Sequence, residues 1–297
     1  MFLSQLHDRG AIALSGLDRV RYLQGLITND INDLAEGEAV YAALLMPQGK
    51  FLFDLFIIND TLNDRFLLTC EITQAASVIK LLNHYKLRAK VEVEDLSDRA
   101  TCYALWPEDH DDIPNTIQLE PSANLYLFKD TRLAEAGFRV VDLTGVTCDR
   151  LCAMLNIDSK QADYELYDRF RIGLGLPDGA RDLIMKRSTV QEGNLDYLNA
   201  VDWNKGCFTG QELTARIHYR GLIKKRLMIV TVAVGQTPPP HGTFLYKDER
   251  RVGEMRSSAG ERGLALVRLE AFEPGVELMT QEGESVTVLL PDYLTLE

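Results

Sequence analysis

The chain has 297 residues and 33.4 kDa, more than one hydrophobic core usually organises, so two or three units are expected. Hydrophobic residues at 46% and charged residues at 26% describe a globular chain and exclude a disordered one. With 44 acidic against 32 basic residues the net charge is −12, which argues against general nucleic-acid binding.

Ser15-Gly16-Leu17-Asp18 fits a capping box. Leu17, Val20, Tyr22-Leu23 and Leu26 follow at helical spacing, predicting a helix that runs into Thr28-Asn29-Asp30. Ala39–Leu45 and Phe51–Ile58 read as strands joined by Met46-Pro47-Gln48-Gly49-Lys50, a hairpin turn. Asn59–Asp64 is a second turn and Phe66–Cys70 a third strand. From Ile72 the apolar positions Ile72, Ala75, Ala76, Ile79 and Leu82 mark an amphipathic helix ending near Leu87. Val91 and Val93 alternate with Glu92 and Glu94, a strand with one wet face. The acidic, proline-bearing stretch Pro107–Pro121 predicts a surface loop between strands at Thr101–Trp106 and Leu125–Phe128. A strand at Phe138–Leu143 then leads to a helix near Thr147–Leu155.

Strands and helices intermix up to about Glu212, an α+β pattern with mostly antiparallel pairing. After Gly221 six short runs, from Leu227–Val234 to Val286–Leu290, are split by glycine and proline, and no helical period survives. Residues 1–221 are therefore expected to form an α+β body, and 222–297 a small β-barrel or sandwich.

The longest apolar runs fall far short of the ~20 residues of a membrane span. Met1–Gly10 has neither the basic flank nor the apolar stretch of a signal peptide. The cysteines, Cys70, Cys102, Cys148, Cys152 and Cys207, are odd in number and sparse. That spacing argues against a disulfide framework, and a cytoplasmic location is expected. Cys148 and Cys152 read as two small buried apolar residues on one helix face. No histidine near them completes a zinc site. Between Val201 and Val230 six basic residues stand against two acidic, +4 within a −12 chain, which suits a small anionic ligand.

Lys205-Gly206-Cys207-Phe208-Thr209-Gly210-Gln211-Glu212 is the segment richest in chemistry. Glycines on either side of Cys207 permit a tight turn and close approach to the backbone. Lys205, and the dipole of a helix starting near Thr209, would favour thiolate at Cys207. Gln211 and Glu212 offer an amide and a carboxylate suited to the edge of a heterocycle. The alternative is a structural turn with a buried cysteine, a solvated Lys205 and a Glu212 that stabilises a helix N-terminus.

The octapeptide fits K-G-C-[FY]-x-G-Q-E and resembles the signature of the YgfZ family of folate-binding proteins, relatives of the glycine-cleavage T-protein involved in iron–sulfur cluster assembly and repair. The resemblance continues through Leu213–Gly221 and Lys224–Leu227, closest to the alphaproteobacterial and mitochondrial branch. It extends upstream to Arg169-Phe170-Arg171-Ile172-Gly173-Leu174-Gly175-Leu176-Pro177 and to Asp18–Asp30.

It implies a T-protein-like body of two interlocked subdomains, mixed antiparallel sheets and helices around a tetrahydrofolate or a one-carbon derivative of it, with a C-terminal β-barrel. Residues carried over are Cys207 as the chemical centre, and Asp54, Glu71, Arg171, Lys205, Gln211 and Glu212 as cofactor contacts. Where the T-protein has two adjacent aspartates, this chain has Phe53-Asp54; where it clamps the pterin with glutamate, this chain has Arg171. Arginine cannot accept a hydrogen bond as glutamate does, and an ion pair of Arg171 with Asp168 or Glu165 is the alternative.

The expected function is that of a folate-binding factor serving iron–sulfur client enzymes or assembly proteins through Cys207. A tetrahydrofolate-dependent aminomethyl or other one-carbon transferase is the second reading, and a folate-free scaffold the third. A monomer without nucleic-acid or membrane partners is expected.

Overall fold

The computed structural model describes residues 1–108, 114, 117, 124–155 and 160–296. The strands in chain order are β1 (Phe2–Gln5), β2 (Arg9–Ser15), β3 (Ala39–Leu45), β4 (Phe51–Asp60), β5 (Arg65–Glu71), β6 (Glu92–Asp95), β7 (Thr101–Trp106), β8 (Leu125–Lys129), β9 (Phe138–Asp142), β10 (Lys160–Ala162), β11 (Lys225–Thr231), β12 (Phe244–Lys247), β13 (Arg250–Ala259), β14 (Arg262–Arg268), β15 (Glu277–Met279) and β16 (Ser285–Leu289). The helices are α1 (Arg19–Gln24), α2 (Ala75–Lys86), α3 (Cys148–Leu155), α4 (Tyr164–Gly173), α5 (Gly179–Asp182) and α6 (Gln211–Tyr219). The chain divides into two compact units: Met1–Leu44 with Phe53–Tyr164 and Asn199–Thr209, and Leu45–Leu52 with Glu165–Leu198 and Gly210–Glu297.

Two five-stranded sheets build the first unit, ordered β3-β4-β5-β2-β6 and β10-β1-β7-β9-β8. Pairing is antiparallel except for β1 with β10. β4 is buried along nearly its whole length, so Phe51–Ile58 is apolar on both faces, except at Asp54, rather than alternating.

Between the sheets lies a charged network. Asp130 accepts from Arg132 Nη2 at 2.7 Å and Arg139 Nε at 2.9 Å, all three side chains being buried. Arg132 sits over the rings of Tyr41 and Phe56, and Arg139 over Phe56 at 5.1 Å. Aromatic faces thus take up guanidinium charge that water cannot reach.

The second unit contains a closed six-stranded barrel, β11-β14-β13-β12-β15-β16. Met228, Val230, Leu245, Met255, Ala265 and Val288 fill its core. Ile172 of α4 packs with Leu227, Ile229 and Leu264, so β11 and β14 are covered on both faces. The α+β body with a C-terminal barrel is thereby confirmed. Among the described residues no helix is long and apolar enough to cross a membrane.

Several local expectations need correction. Ser15 ends β2 instead of capping a helix, Leu17 is exposed, and Asp18, the N-cap of α1, takes the Lys90 N–H at 2.7 Å. The reciprocal bonds of a capping box are therefore absent, and α1 stops at Gln24. In α2 the buried face is Ala75, Val78 and Leu82, while Ile72 and Ala76 are exposed, because a 3₁₀ turn over Ile72–Gln74 precedes the α-helix and rotates the face. β1 and β2 carry no assignment in the sequence reading. Most of the loop expected at Pro107–Pro121 lies outside the described residues. Cys148 and Cys152 are half-buried on α3 and pack against the sheet core.

Burial alone would raise the Asp130 carboxyl, but Arg132 and Arg139 outweigh it and hold it down to about 2. Its stabilisation is complete above pH ~4, the ordinary carboxylate range, and is lost as pH falls through the folded value. Asp130→Asn leaves two buried guanidinium groups undercompensated, and about 3–5 kcal/mol should be lost at pH 7. Urea unfolding at pH 7 and pH 3 checks this, with the gap to wild type narrowing at the lower pH.

Candidate functional site

The loop carrying Cys207 has no regular structure, and its shape comes from bonds to residues 24–29. Thr28 Oγ1 donates to Ala200 O at 2.6 Å, Asn29 Nδ2 to Asn199 O at 2.7 Å, and Asp202 N to Thr28 O at 3.1 Å. Lys205 Nζ donates to the carbonyls of Gln24, Ile27 and Asn29 at 2.9, 2.8 and 2.5 Å. Thr209 N donates to Gly25 O at 3.0 Å. Lys205 and Thr209 are thus both pinned to the end of α1, and Gly206-Cys207-Phe208 is the excursion between two anchors.

Cys207 is the exposed member of the five free cysteines. Burial pushes the Cys70 and Cys102 thiols up to about 12, and burial followed by Cys152 pushes Cys148 up to about 11. Those three are held as thiols, and thiol nucleophilicity belongs to the thiolate.

Lys205 is half-buried, and each of its three N–H bonds has a carbonyl acceptor. Burial brings its ammonium down to about 8, against Asp30 and Asp202, which hold it up. Its charge also lies 5.4 Å from the centre of the Phe208 ring. The helix after the motif begins at Gln211 with Gly210 as its N-cap, two residues past Thr209, so its first turn opens four positions beyond Cys207. Gln211 is half-buried in that turn, and Glu212 is exposed there, the place where an acid complements the helix dipole.

Of the two motif glycines, Gly210 is the one the fold requires. It caps α6 at φ +86°, and a Cβ there would meet Met46 O at 2.6 Å and Leu45 Cβ at 2.9 Å. Gly49, at φ +74° in the β3–β4 turn, would bring a Cβ to 2.6 Å from Leu213 Cβ and 2.9 Å from Gly210 O. The hairpin tip and the start of α6 therefore meet glycine to glycine. Gly206 has open space where a Cβ would stand.

The other candidates are held by protein partners. Asp54, on β4, is buried and accepts from the Tyr41 hydroxyl at 3.0 Å. Burial and then the Asp54 charge keep that phenol protonated, well above its ordinary range. Glu71 caps the 3₁₀ turn, accepting from Gln74 N at 3.1 Å and from the Thr73 hydroxyl. Arg171 is buried and donates to Asp168 Oδ1 at 2.5 Å, and to Asp182 Oδ2, Leu176 O and Ser257 Oγ at 3.0 Å each. Burial pulls its charge down, but Asp182, Asp168 and Asp178 outweigh that and hold the guanidinium above its ordinary value. Asp168, anticipated as its partner, is gripped by Arg181 as well. Asp182 and Ser257 lie too far along the chain to be anticipated from helical spacing.

Asp54, Glu71, Lys205 and Cys207 belong to the first unit, and Arg171, Gln211 and Glu212 to the second. Arg171 and Lys205 use their donors internally and Glu71 caps a turn, whereas Asp54 engages Tyr41 through Oδ2 and its buried Oδ1 accepts no hydrogen bond from the described residues.

Gly210→Ala should cost at least about 1–2 kcal/mol for the left-handed backbone alone. Gly206→Ala should stay within about 0.5 kcal/mol of wild type. Thermal unfolding of the two variants side by side distinguishes the required glycine from the permissive one.

Comparison with known proteins agrees with this architecture. The model of the GCVT N-terminal domain matches residues 3–118, and that of the CAF17 C-terminal β-barrel domain matches residues 224–296. The crystal structure of glycine cleavage system aminomethyltransferase T from Bartonella henselae superposes with a TM-score of 0.78 over 98% of this chain and 86% of that one. At 20% identity that likeness shows the fold alone. The chain is 30% identical to the iron–sulfur cluster assembly factor IBA57, mitochondrial, of Mus musculus, covering 97% of this chain and 84% of the relative. The Homo sapiens protein of the same name gives the same figures. The homologue from Mycosarcoma maydis is 33% identical over 80% of this chain, which spans 59% of that relative's length.

All three relatives are named mitochondrial, which overturns the expected cytoplasmic location. Free cysteines report a reducing environment and do not say which compartment provides it. The relatives also narrow the YgfZ resemblance to a related branch: the chain belongs to the IBA57 family.

Proposed function

We propose that this chain is an iron–sulfur cluster assembly factor in which Cys207 provides a transient thiolate ligand to the iron of its cargo. The observation that carries the reading is the exposure of Cys207 on a loop anchored at both ends, while the other four cysteines are buried or half-buried. A thiolate is both a nucleophile and a soft metal ligand, and it acts on cargo only where cargo can reach it. The names of the mouse, human and fungal relatives support the same reading.

Among the described residues no group of three or more histidine, cysteine or acidic side chains could hold a metal ion. Cys207 would therefore share its cargo with ligands from a client or assembly protein rather than store a cluster. One-carbon transfer is disfavoured: Phe53 stands where the T-protein alignment has an acid, and Asp54 is engaged by Tyr41. Tetrahydrofolate is the cofactor the fold family implies, and no step of this mechanism runs through it.

Cys207→Ala should leave the unfolding transition within about 0.5 kcal/mol of wild type, as expected for an exposed substitution. It should abolish rescue of iron–sulfur enzyme activity in a strain lacking the protein. Full rescue would remove Cys207 from the mechanism. Anaerobic calorimetric titration with tetrahydrofolate should give the same result for wild type and Asp54→Asn, since that carboxylate is held by Tyr41. A weaker isotherm in the variant would return Asp54 to a folate pocket.

A further inference from the structure

The cations of the second unit fall into paired and unpaired sets. Arg169, Arg226 and Arg250 each pair with a carboxylate. Arg216, Arg220 and Lys224 are exposed and have no ion-pair partner among the described residues. Arg216 and Arg220 stand four apart at the end of α6, where Arg220 N donates to Arg216 O at 3.2 Å, so their side chains leave one side of the helix.

On the barrel, Lys225 of β11 lies directly opposite Arg268 of β14. Like charges in that position destabilise a strand pair, and Glu270, 3.5 Å from Arg268, offsets part of the cost. The helix dipole accounts for Arg216 near the C-terminus of α6, but not for Lys224 and Lys225 at the start of the next strand. A chain with twelve more acids than bases has thus kept a run of uncompensated cations.

Apolar surface accompanies them. Tyr219 is 71% and Leu222 48% exposed. Beside them opens a cleft of about 510 Å³ lined in part by Tyr197, His218, Ile223, Leu269 and Leu296. The ions lining it neutralise each other: Arg226 holds Asp196 through two bonds of 2.9 Å and lies over Tyr197 at 4.8 Å. Leu269 N donates to Lys224 O at 3.0 Å and Leu222 N to Ile217 O at 3.1 Å, so the segment bearing the cations is fixed in place.

We propose that this face docks an acidic segment of a partner protein, with carboxylates on Arg216, Arg220, Lys224 and Lys225 and one apolar side chain in the cleft. Charge complementarity selects the occupant, because the net charge of −12 repels polyanions elsewhere on the molecule and this run attracts them. The adjoining cleft adds a requirement for an apolar anchor, which a bare run of carboxylates does not meet.

The test is fluorescence anisotropy of the full chain with a labelled ten-residue peptide of aspartate and glutamate around one central leucine. Saturable binding is expected, weakened about tenfold in the double variant Arg220→Glu/Lys224→Glu. Replacing the peptide leucine by serine should weaken it by about threefold or more. Raising salt from about 50 to about 200 mM should also weaken it. Both substituted positions are exposed, and an unchanged melting temperature verifies that the variant is folded. No saturable binding, or equal binding by wild type and double variant, overturns the proposal. So does penta-γ-glutamate binding as tightly as the peptide, since the face would then be a general carboxylate site. Tighter binding to phosphatidylserine vesicles through the same two residues would make it a membrane contact and overturn it equally.

Discussion

One ammonium group holds the loop on which the proposed chemistry depends. α1 is six residues long, and the carbonyls at its C-terminal end have no helical partners of their own. Lys205 supplies a donor to one of them, at Gln24, and to the carbonyls of Ile27 and Asn29 just beyond the helix. Burying an ammonium is costly unless its donors are all used, and here the geometry uses them all. The return is positional: a segment with no helix or strand of its own acquires a fixed course, and Cys207 stands outside the packed interior. Thr28, Asn29 and Thr209 add neutral bonds to the same short stretch, so the loop does not depend on charge alone.

Elsewhere, charge is used internally. The Asp130–Arg132–Arg139 network between the sheets and the Arg171–Asp168–Asp182 network of the second unit remove six arginine and aspartate side chains from solvent. Such ions contribute little net stability over an apolar core of the same shape, but each becomes costly once its partner is lost. The resemblance read from the sequence places Arg171 where the T-protein has a pterin-clamping glutamate. In this chain that position ties α4 to α5 and, through Ser257, to the barrel strand β13.

The elements readable in the sequence are those whose signal is local. Met46-Pro47-Gln48-Gly49-Lys50 announced a hairpin because a left-handed glycine follows proline, and the six barrel runs announced themselves through glycine and proline spacing. Asp168 as a partner for Arg171 was legible from its place three residues away on one helix. Apart from the local 3₁₀ turn that rotates the buried face of α2, the failures share a cause, which is that the deciding partner lies far along the chain. Asp18 looks like part of a capping box until Lys90 takes its carboxylate. Lys205 looks like a tuner of the neighbouring thiol, yet its acceptors lie 176 to 181 positions earlier. β1 is short, and the strand character of β1 and β2 comes from pairing with β7, β10, β5 and β6. The motif around Cys207 was recognisable as a pattern, whereas its exposure required the fold.

The uneven burial of the five thiols has a practical side. Soft alkylating reagents at one equivalent would modify the native protein at a single sulfur, giving a position for a spin label or fluorophore without mutagenesis. The same feature makes purification sensitive to air. Once reductant is removed, two copies can join through Cys207, and a band at twice the chain mass on a non-reducing gel would record that oxidation rather than a physiological dimer.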